Sequence, residues 1–188
     1  MKKIDISNVA NLPTKYGDFK VQAFKEGPKE HLALFTEKIP EIPIVRVHSE
    51  CLTGDALGSL KCDCGQQLQS ALELIAKEGG LLIYHRQEGR NIGLLNKINA
   101  YALQDKGLDT VQANHQLGFE ADERTYEIVE VILEHFGLKK IKLLTNNPSK
   151  IKSLKSIEIV ERIPIKIAPN PHNKKYLKTK KEQMGHIL

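Results

Sequence analysis

The residues best suited to chemistry in this chain are its three cysteines, Cys51, Cys62 and Cys64, which all fall in one short stretch. Their spacing, Cys51-x10-Cys62-x-Cys64 with Gly65 directly behind, suits a metal ion better than a disulfide framework. Thiolates are favoured zinc ligands. Two of them one residue apart meet one ion only across a tight turn, which Gly65 would ease. A structural zinc is usually closed by four protein ligands, so three cysteines leave one position to fill. Either a histidine closes it (His48 is nearest, with His85 and His115 as alternatives), or it stays open to water and the ion is catalytic. Three buried free thiols are the remaining reading, and the clustering weighs against it. Spacing alone does not separate structural from catalytic zinc.

Two further stretches carry anion-binding chemistry. His85-Arg86-Gln87-Glu88-Gly89-Arg90-Asn91-Ile92-Gly93 sits between an apolar run and a helical one. Backbone amides at a helix start attract anions, and two arginines can grip phosphate oxygens bidentately. It is not a Walker A loop, since no Gly-Lys-Ser/Thr ends it. The plain alternative is a solvent-exposed capping loop. Asp122-Glu123-Arg124 precedes an apolar periodic run, where Asp122 reads as a helix cap, Glu123 as favouring the dipole and Arg124 as a surface charge. Thr145 to Lys150 follows a short apolar strand, and loops at the C-terminal ends of strands in α/β sheets commonly hold ligands.

These stretches need a frame to bring them together. Phe19 to Phe24, His31 to Phe35 and Ile44 to His48 alternate as half-buried strands do, with Gly27-Pro28 as a turn between the first two. From Gln66 the period changes to that of a helix, with Leu68, Ala71, Leu72, Ile75 and Ala76 on one face and Gly79-Gly80 at its end. Leu81 to Tyr84 is a buried strand. A second helix carries Leu94, Leu95, Ile98, Tyr101 and Ala102 on one apolar face, where Tyr101 is by default a core residue with its hydroxyl at the boundary, and ends near Gly107. A third runs from about Asp122, with Thr125, Ile128, Val129, Ile132 and Phe136 inward, to Gly137. Ile141 to Leu144 and Ile157 to Val160 are further strands. Helix–strand alternation after a strand-rich N-terminal part indicates an α/β fold of mixed α+β character, a mixed sheet flanked by helices.

Length and composition bound what such a chain can be. At 188 residues it reads as a single domain over 1–188, with a polar, Lys-rich tail from about residue 171. The hydrophobic fraction of 40% and charged fraction of 27% are ordinary for a globular protein and exclude a disordered or fibrous chain. No apolar run approaches the ~18 residues needed to span a bilayer. The opening Met1-Lys2-Lys3-Ile4-Asp5 has no apolar stretch behind its lysines, so a cytoplasmic location is expected. The net charge of +5 suits a phosphorylated small molecule. Only 5% of residues are aromatic and none is tryptophan, a poor supply for stacking nucleic acid bases. The crowded lysines of the tail (Lys174, Lys175, Lys178, Lys180 and Lys181) read as a solvated face, in a final exposed helix at most.

Taken together, the motifs resemble one family. Arg46-Val47-His48-Ser49-Glu50-Cys51-Leu52-Thr53-Gly54-Asp55, Cys62-Asp63-Cys64-Gly65 and His85 to Leu94 are similar to GTP cyclohydrolase II, which opens the guanine ring of GTP at the first committed step of riboflavin synthesis. Asn114 to Gly118, Asp122-Glu123-Arg124 and Leu144-Thr145-Asn146-Asn147-Pro148 match as well. The resemblance implies a catalytic zinc on Cys51, Cys62 and Cys64 with water at the fourth position, and Mg²⁺ accompanying the triphosphate. It implies Tyr101 beside the ring-opening chemistry, Arg124 as nucleophile or charge clamp at the α-phosphorus, and Asp122 as proton acceptor. GTP contacts carry over to Arg46, Val47, His48, Ser49 and Glu50, and to Gln67. They also carry over to Glu88, Gly89 and Arg90, and to Thr110, Thr145 and Lys150. The products implied are a 2,5-diamino-6-ribosylaminopyrimidinone 5′-phosphate, formate and pyrophosphate. Partners implied are GTP and a second copy of the chain, with no nucleic acid and no membrane. After Lys150 the chain runs to Ile159 without a glycine and is shorter than the usual family segment.

Overall fold

The computed structural model describes residues 3–187; the opening Met1-Lys2 considered above lies outside them. The chain begins with four strands, β1 (Ile4–Ile6), β2 (Ala10–Thr14), β3 (Gly17–Glu26) and β4 (Lys29–Phe35), paired antiparallel around β3. β1 and β2 share one edge of β3, one after the other, while β4 takes the opposite edge. These two leading strands carry short, mixed sequences with no clean alternation, and the periodicity of the chain did not announce them.

From β5 (Ile44–Ser49) the architecture changes. It is followed by α1 (Leu52–Asp55), α2 (Cys64–Glu78), β6 (Gly80–His85), a 3₁₀ turn (Glu88–Asn91) and α3 (Gly93–Asp105). Then come α4 (Thr110–Gln116), α5 (Glu127–His135), β7 (Lys140–Leu144), α6 (Pro148–Ser153), β8 (Glu158–Ile163) and α7 (Lys174–Gln183). The strands form one sheet in the order β1-β3-β4-β6-β5-β7-β8, antiparallel from β1 to β6 and parallel from β6 through β5 and β7 to β8. This is the expected α/β fold with a mixed sheet and a strand-rich start.

Helices cover both faces of the parallel part, so its strands are buried on both sides. On one face Val45, Val47, Leu81, Ile83 and Leu143 pack against Ile128, Val129, Ile132 and Leu133 of α5. On the other, Ile44 and Leu82 pack against Ala71, Leu72 and Ile75 of α2. Alternation along β5 puts Arg46 and His48 on the α2 side, next after Ile44, yet both are buried at 4% and 2% exposure. A strand with two polar residues buried on one face signals a site, not a wet surface. β5, β6 and β7 end together, and the loops after them (from Ser49, His85 and Thr145) meet at that edge.

Three sequence expectations need correction. The third helix starts at Glu127, not near Asp122, and Thr125 is exposed outside it. Asp122 therefore caps no helix; its carboxylate is taken by Arg124 instead. The second helix does not turn its leucine stripe inward: Leu94, Leu95 and Ile98 are 39%, 76% and 47% exposed, and Lys97 and Ala100 are its buried residues. The tail is helical as allowed for and exposes Lys174, Lys175, Lys178 and Lys181 as expected, but Lys180 is buried with Leu177 and Thr179.

Candidate active site

The three thiols meet between α1 and the start of α2. Their Sγ atoms all lie within 4.8 Å of one another, and Cys51 and Cys62 are 3.7 Å apart. Tetrahedral zinc with Zn–S bonds of ~2.3 Å would set sulfur atoms ~3.8 Å apart, so the spacing already fits such an ion. The floor of the cradle is Gly54, where a Cβ would stand 2.7 Å from Cys62 Sγ and 3.2 Å from Cys51 Sγ. Gly65 has a different role from the one its position suggested. It lies in α2, and a Cβ there would sit 2.3 Å from the Gly54 carbonyl oxygen, so it serves close packing and not a turn.

No histidine joins the thiols among the described residues. His48 Nε2 bonds the Asp55 carboxylate at 3.0 Å, His85 is buried beside His31 and Tyr126, and His115 is exposed. Asp55 also accepts from the Cys51 amide at 3.0 Å and the Tyr84 hydroxyl at 2.8 Å, so one carboxylate fixes the first thiol and the base of β5. Hydrogen bonds from Cys62 and Cys64, with Lys97 adding its charge, pull the Cys51 thiol far down. Cys62 is pushed up to about 11 and Cys64 well above the thiol range, chiefly by sharing hydrogen bonds with that first thiolate. The cluster thus takes one negative charge readily and resists more, and a divalent cation is what would draw off the remaining protons.

Lys97 is the functional residue the sequence reading missed. Its Nζ lies 3.1 Å from Cys51 Sγ and donates to Glu88 Oε1 at 2.7 Å, with only 10% of either side chain exposed. Burial works against its charge, but the Cys51 thiolate and Glu88 outweigh it and hold the ammonium firmly protonated. Its signal was the leucine stripe on the neighbouring face: had that stripe been read as an outer surface, Lys97 would have pointed inward. The Tyr101 hydroxyl contacts Thr53 Oγ1 at 3.3 Å, and Thr53 reaches Cys51 Sγ at 3.7 Å. Burial pushes the Tyr101 phenol up to about 12.

Above the thiols the 3₁₀ turn presents Glu88, Gly89 and Arg90. Gly89, Arg90 and Asn91 all have left-handed backbone, φ 60°, 59° and 77°, a conformation that costs of order 1 kcal/mol or more at each non-glycine position. Asn91 and Arg90 are held there by Glu123, through Asn91 Nδ2 donating to its carbonyl at 2.9 Å and its amide donating to the Arg90 carbonyl at 3.2 Å. The turn aims Arg90 at the cleft. Arg86 is not so aimed: it is half exposed and pairs with Glu50 at 3.0 Å, so the expected pair of phosphate arginines reduces to one from this loop.

The opposite end is cationic. Arg46 donates to Gln67 Oε1 at 2.6 Å and the Leu144 carbonyl at 3.0 Å, leaving its buried Nε without a partner among the described residues. Burial lowers its guanidinium to about 10. Arg124 is gripped by both oxygens of Asp122 and donates to Ser49 Oγ at 3.0 Å. Its burial disfavours the charge, but the hydrogen bonds it donates to Asp122 win and raise it above the ordinary arginine value. Lys150 donates to the Val47 carbonyl at 2.7 Å, and burial with Arg46 and Arg124 nearby holds its ammonium well below the usual lysine range. Val47 itself faces the α5 core and serves the site only through that carbonyl.

With the exception of Val47 and Asp122, every residue expected at the site lines one cleft with about 1090 Å³ of open space, the part facing solvent included. Thr110 enters as the first residue of α4, behind a capping box made by Asp109 and Gln112, and Asn114 follows one turn later. Tyr176, Lys180 and His186 of the tail also face the cleft.

Comparison with known proteins is consistent across the chain. The family model for GTP cyclohydrolase II matches residues 5–164. A protein named GTP cyclohydrolase-2 from Campylobacter hominis is 63% identical over 185 residues, covering 98% of this chain and 96% of its own length. One of the same name from Helicobacter pylori is 58% identical over 192 aligned positions and covers both chains fully. Another, from Sulfurospirillum multivorans, is 70% identical over 141 residues, 75% of this chain and all of its own.

Proposed function

The chain belongs to the GTP cyclohydrolase II family, enzymes of GTP hydrolysis in riboflavin biosynthesis, and we propose that it carries out the complete reaction of that family in the cleft just described. In this reading GTP becomes a diaminopyrimidinone ribosyl 5′-phosphate, with release of formate and pyrophosphate. The observation that carries it is the convergence of three thiols, a buried carboxylate and a cluster of cations on one cleft.

Cys51, Cys62 and Cys64 would hold zinc, supported by the sulfur spacing and by the Gly54 floor that any side chain would fill. Zinc bound there supplies a Lewis acid that makes water a usable nucleophile near neutral pH. Glu88 is an acceptor-only group suited to the N1–H and N2–H₂ donors of guanine. It already accepts from the Leu52 amide at 2.6 Å, from Gly89 at 2.8 Å and from Lys97. A carboxylate offers about four lone-pair sites, so one on Oε2 remains for a donor of the base, and the second donor would replace one of these contacts. Tyr101 stays protonated at neutral pH and would donate a hydrogen bond beside the ring that opens.

Arg46, Arg90 and Lys150 suit the phosphates, joined by Ser49, Thr145 and Thr110. Gln67 would act by holding Arg46, whereas His48 is bonded to Asp55 beside the thiols and Glu50 to Arg86, which lies outside the cleft. For Arg124 we favour a charge clamp over a covalent nucleophile. Asp122 holds its fork in two bonds and raises its affinity for protons, the opposite of what a nucleophilic guanidine needs. Mg²⁺ would enter with the triphosphate. A second copy of the chain would cover the leucine face of α3, where Leu95 is 76% exposed.

Mass analysis of the products made from GTP with zinc and magnesium tests the proposal. The complete reaction gives a deformylated pyrimidine with equimolar formate and pyrophosphate. A product that keeps its formyl group, or no turnover, contradicts it.

A further inference from the structure

The C-terminal helix lies beyond the residues 5–164 that the family model matches. Lys180 Nζ donates to Asp63 Oδ1 at 2.9 Å, with 10% and 3% of the two side chains exposed. Asp63 stands between two of the thiols, and its other oxygen accepts from Gln67 Nε2. Gln67 Oε1 in turn accepts from Arg46 at 2.6 Å. The tail is thus wired through Asp63 and Gln67 to a residue at the cationic end.

Beyond the helix the chain returns across the cleft. The His186 amide donates to the Lys180 carbonyl at 3.1 Å, and the Ile187 amide to the Asn146 carbonyl at 2.9 Å, at the loop after β7. Gln183 Nε2 reaches the Asp109 carboxylate at 3.1 Å, the cap of α4. Three separate walls of the cleft are therefore tied to this one segment. Within it, Lys180 lies 4.4 Å over the Tyr176 ring, and both face the open space with His186.

A buried lysine that only anchored a helix would need nothing beyond its carboxylate. An ammonium has three donors, however, and Asp63 takes one. Lys180 also shares the cleft with Arg46, Arg124 and Lys150, and like charges gathered out of water favour a multiply charged anion among them. We propose that Lys180 is a substrate-binding residue that donates to the phosphates of the nucleotide, with Tyr176 and His186 placing it there. The inference rests on the reading of this cleft as a GTP site.

The test is calorimetry on the full-length, metal-loaded protein with two probes, inorganic triphosphate and guanosine. Lys180→Gln weakens triphosphate by about tenfold or more and leaves guanosine within about twofold, while Lys180→Arg recovers most of the loss. Unchanged triphosphate affinity in Lys180→Gln, or an equal loss for both probes, overturns the proposal and leaves Lys180 a tether. Hydrogen exchange on the unaltered protein keeps the test independent of that variant's folding. Protection over residues 174–187 rises with inorganic triphosphate, and no change overturns the proposal. Unaltered protein that binds neither probe contradicts the GTP reading as well; binding of both with no effect at Lys180 contradicts this inference alone.

Discussion

Cys51, Cys62 and Cys64 come from one stretch around α1 and the start of α2, whereas Arg46, Arg124, Lys150 and Lys180 come from elements spread between β5 and α7. At the sulfur end the charges answer one another at short range: a thiolate, Lys97 and Glu88 in direct contact. At the cationic end the guanidinium of Arg46 and the ammonium of Lys150 bond to neutral oxygens and both lose affinity for protons through burial. At the first end local chain geometry brings the three thiols together, and Lys97 and Glu88 are added from α3 and the 3₁₀ turn. The second exists only once the whole sheet has formed, and an arriving anion would supply the charge it lacks.

If the two ends are separable in this way, Cys62→Ser separates them most sharply. Bound zinc is lost and ring opening falls by more than about a hundredfold, while affinity for inorganic triphosphate stays within about twofold. Metal analysis and calorimetry check both halves, and a parallel collapse of triphosphate binding would merge the ends into one unit. Arg124→Lys probes the other end. It keeps the charge but loses the fork on Asp122, so pyrophosphate release slows by about tenfold and persists. Complete loss of release in that variant would favour the covalent role over the clamp.

Lys97→Met tests the contact between thiol and carboxylate. Zinc affinity drops by about tenfold, measured by competition with a chelator, and preference for GTP over ATP weakens as Glu88 loses its restraint. Equal zinc affinity would make Lys97 a packing residue. The smallest effect is a proton. The free protein holds Lys150 below the usual lysine range, and a phosphate favours its charged form, so triphosphate binding takes up protons at pH near or above that lowered value. Affinity accordingly declines as pH rises through the lowered value. Calorimetry in buffers of different ionisation heat detects the uptake, and its absence would mean that Lys150 is already charged.

Much of the sulfur end was legible in the sequence, because a metal site made by adjacent thiols leaves its spacing in the chain. The parallel strands and α2 were legible for a similar reason: a single apolar period governs each. What misled was periodicity taken as burial. The leucines of α3 repeat as a core face would, yet they point outward, and Lys97 points in. The lysines of α7 resemble a solvated surface, yet Lys180 is buried because Asp63 receives it across 117 positions of sequence. Asp122 and Arg124 similarly passed for the start of a helix, because the pairing of a carboxylate with a guanidinium two residues on has no sequence signature distinct from a cap.

The most direct measurement of the central claim follows formate from GTP through one cycle of metal removal. The account predicts one formate per GTP from protein carrying one zinc, none after chelation has stripped it, and full recovery when zinc is restored. Formate released at the original rate by protein with no detectable metal would contradict it.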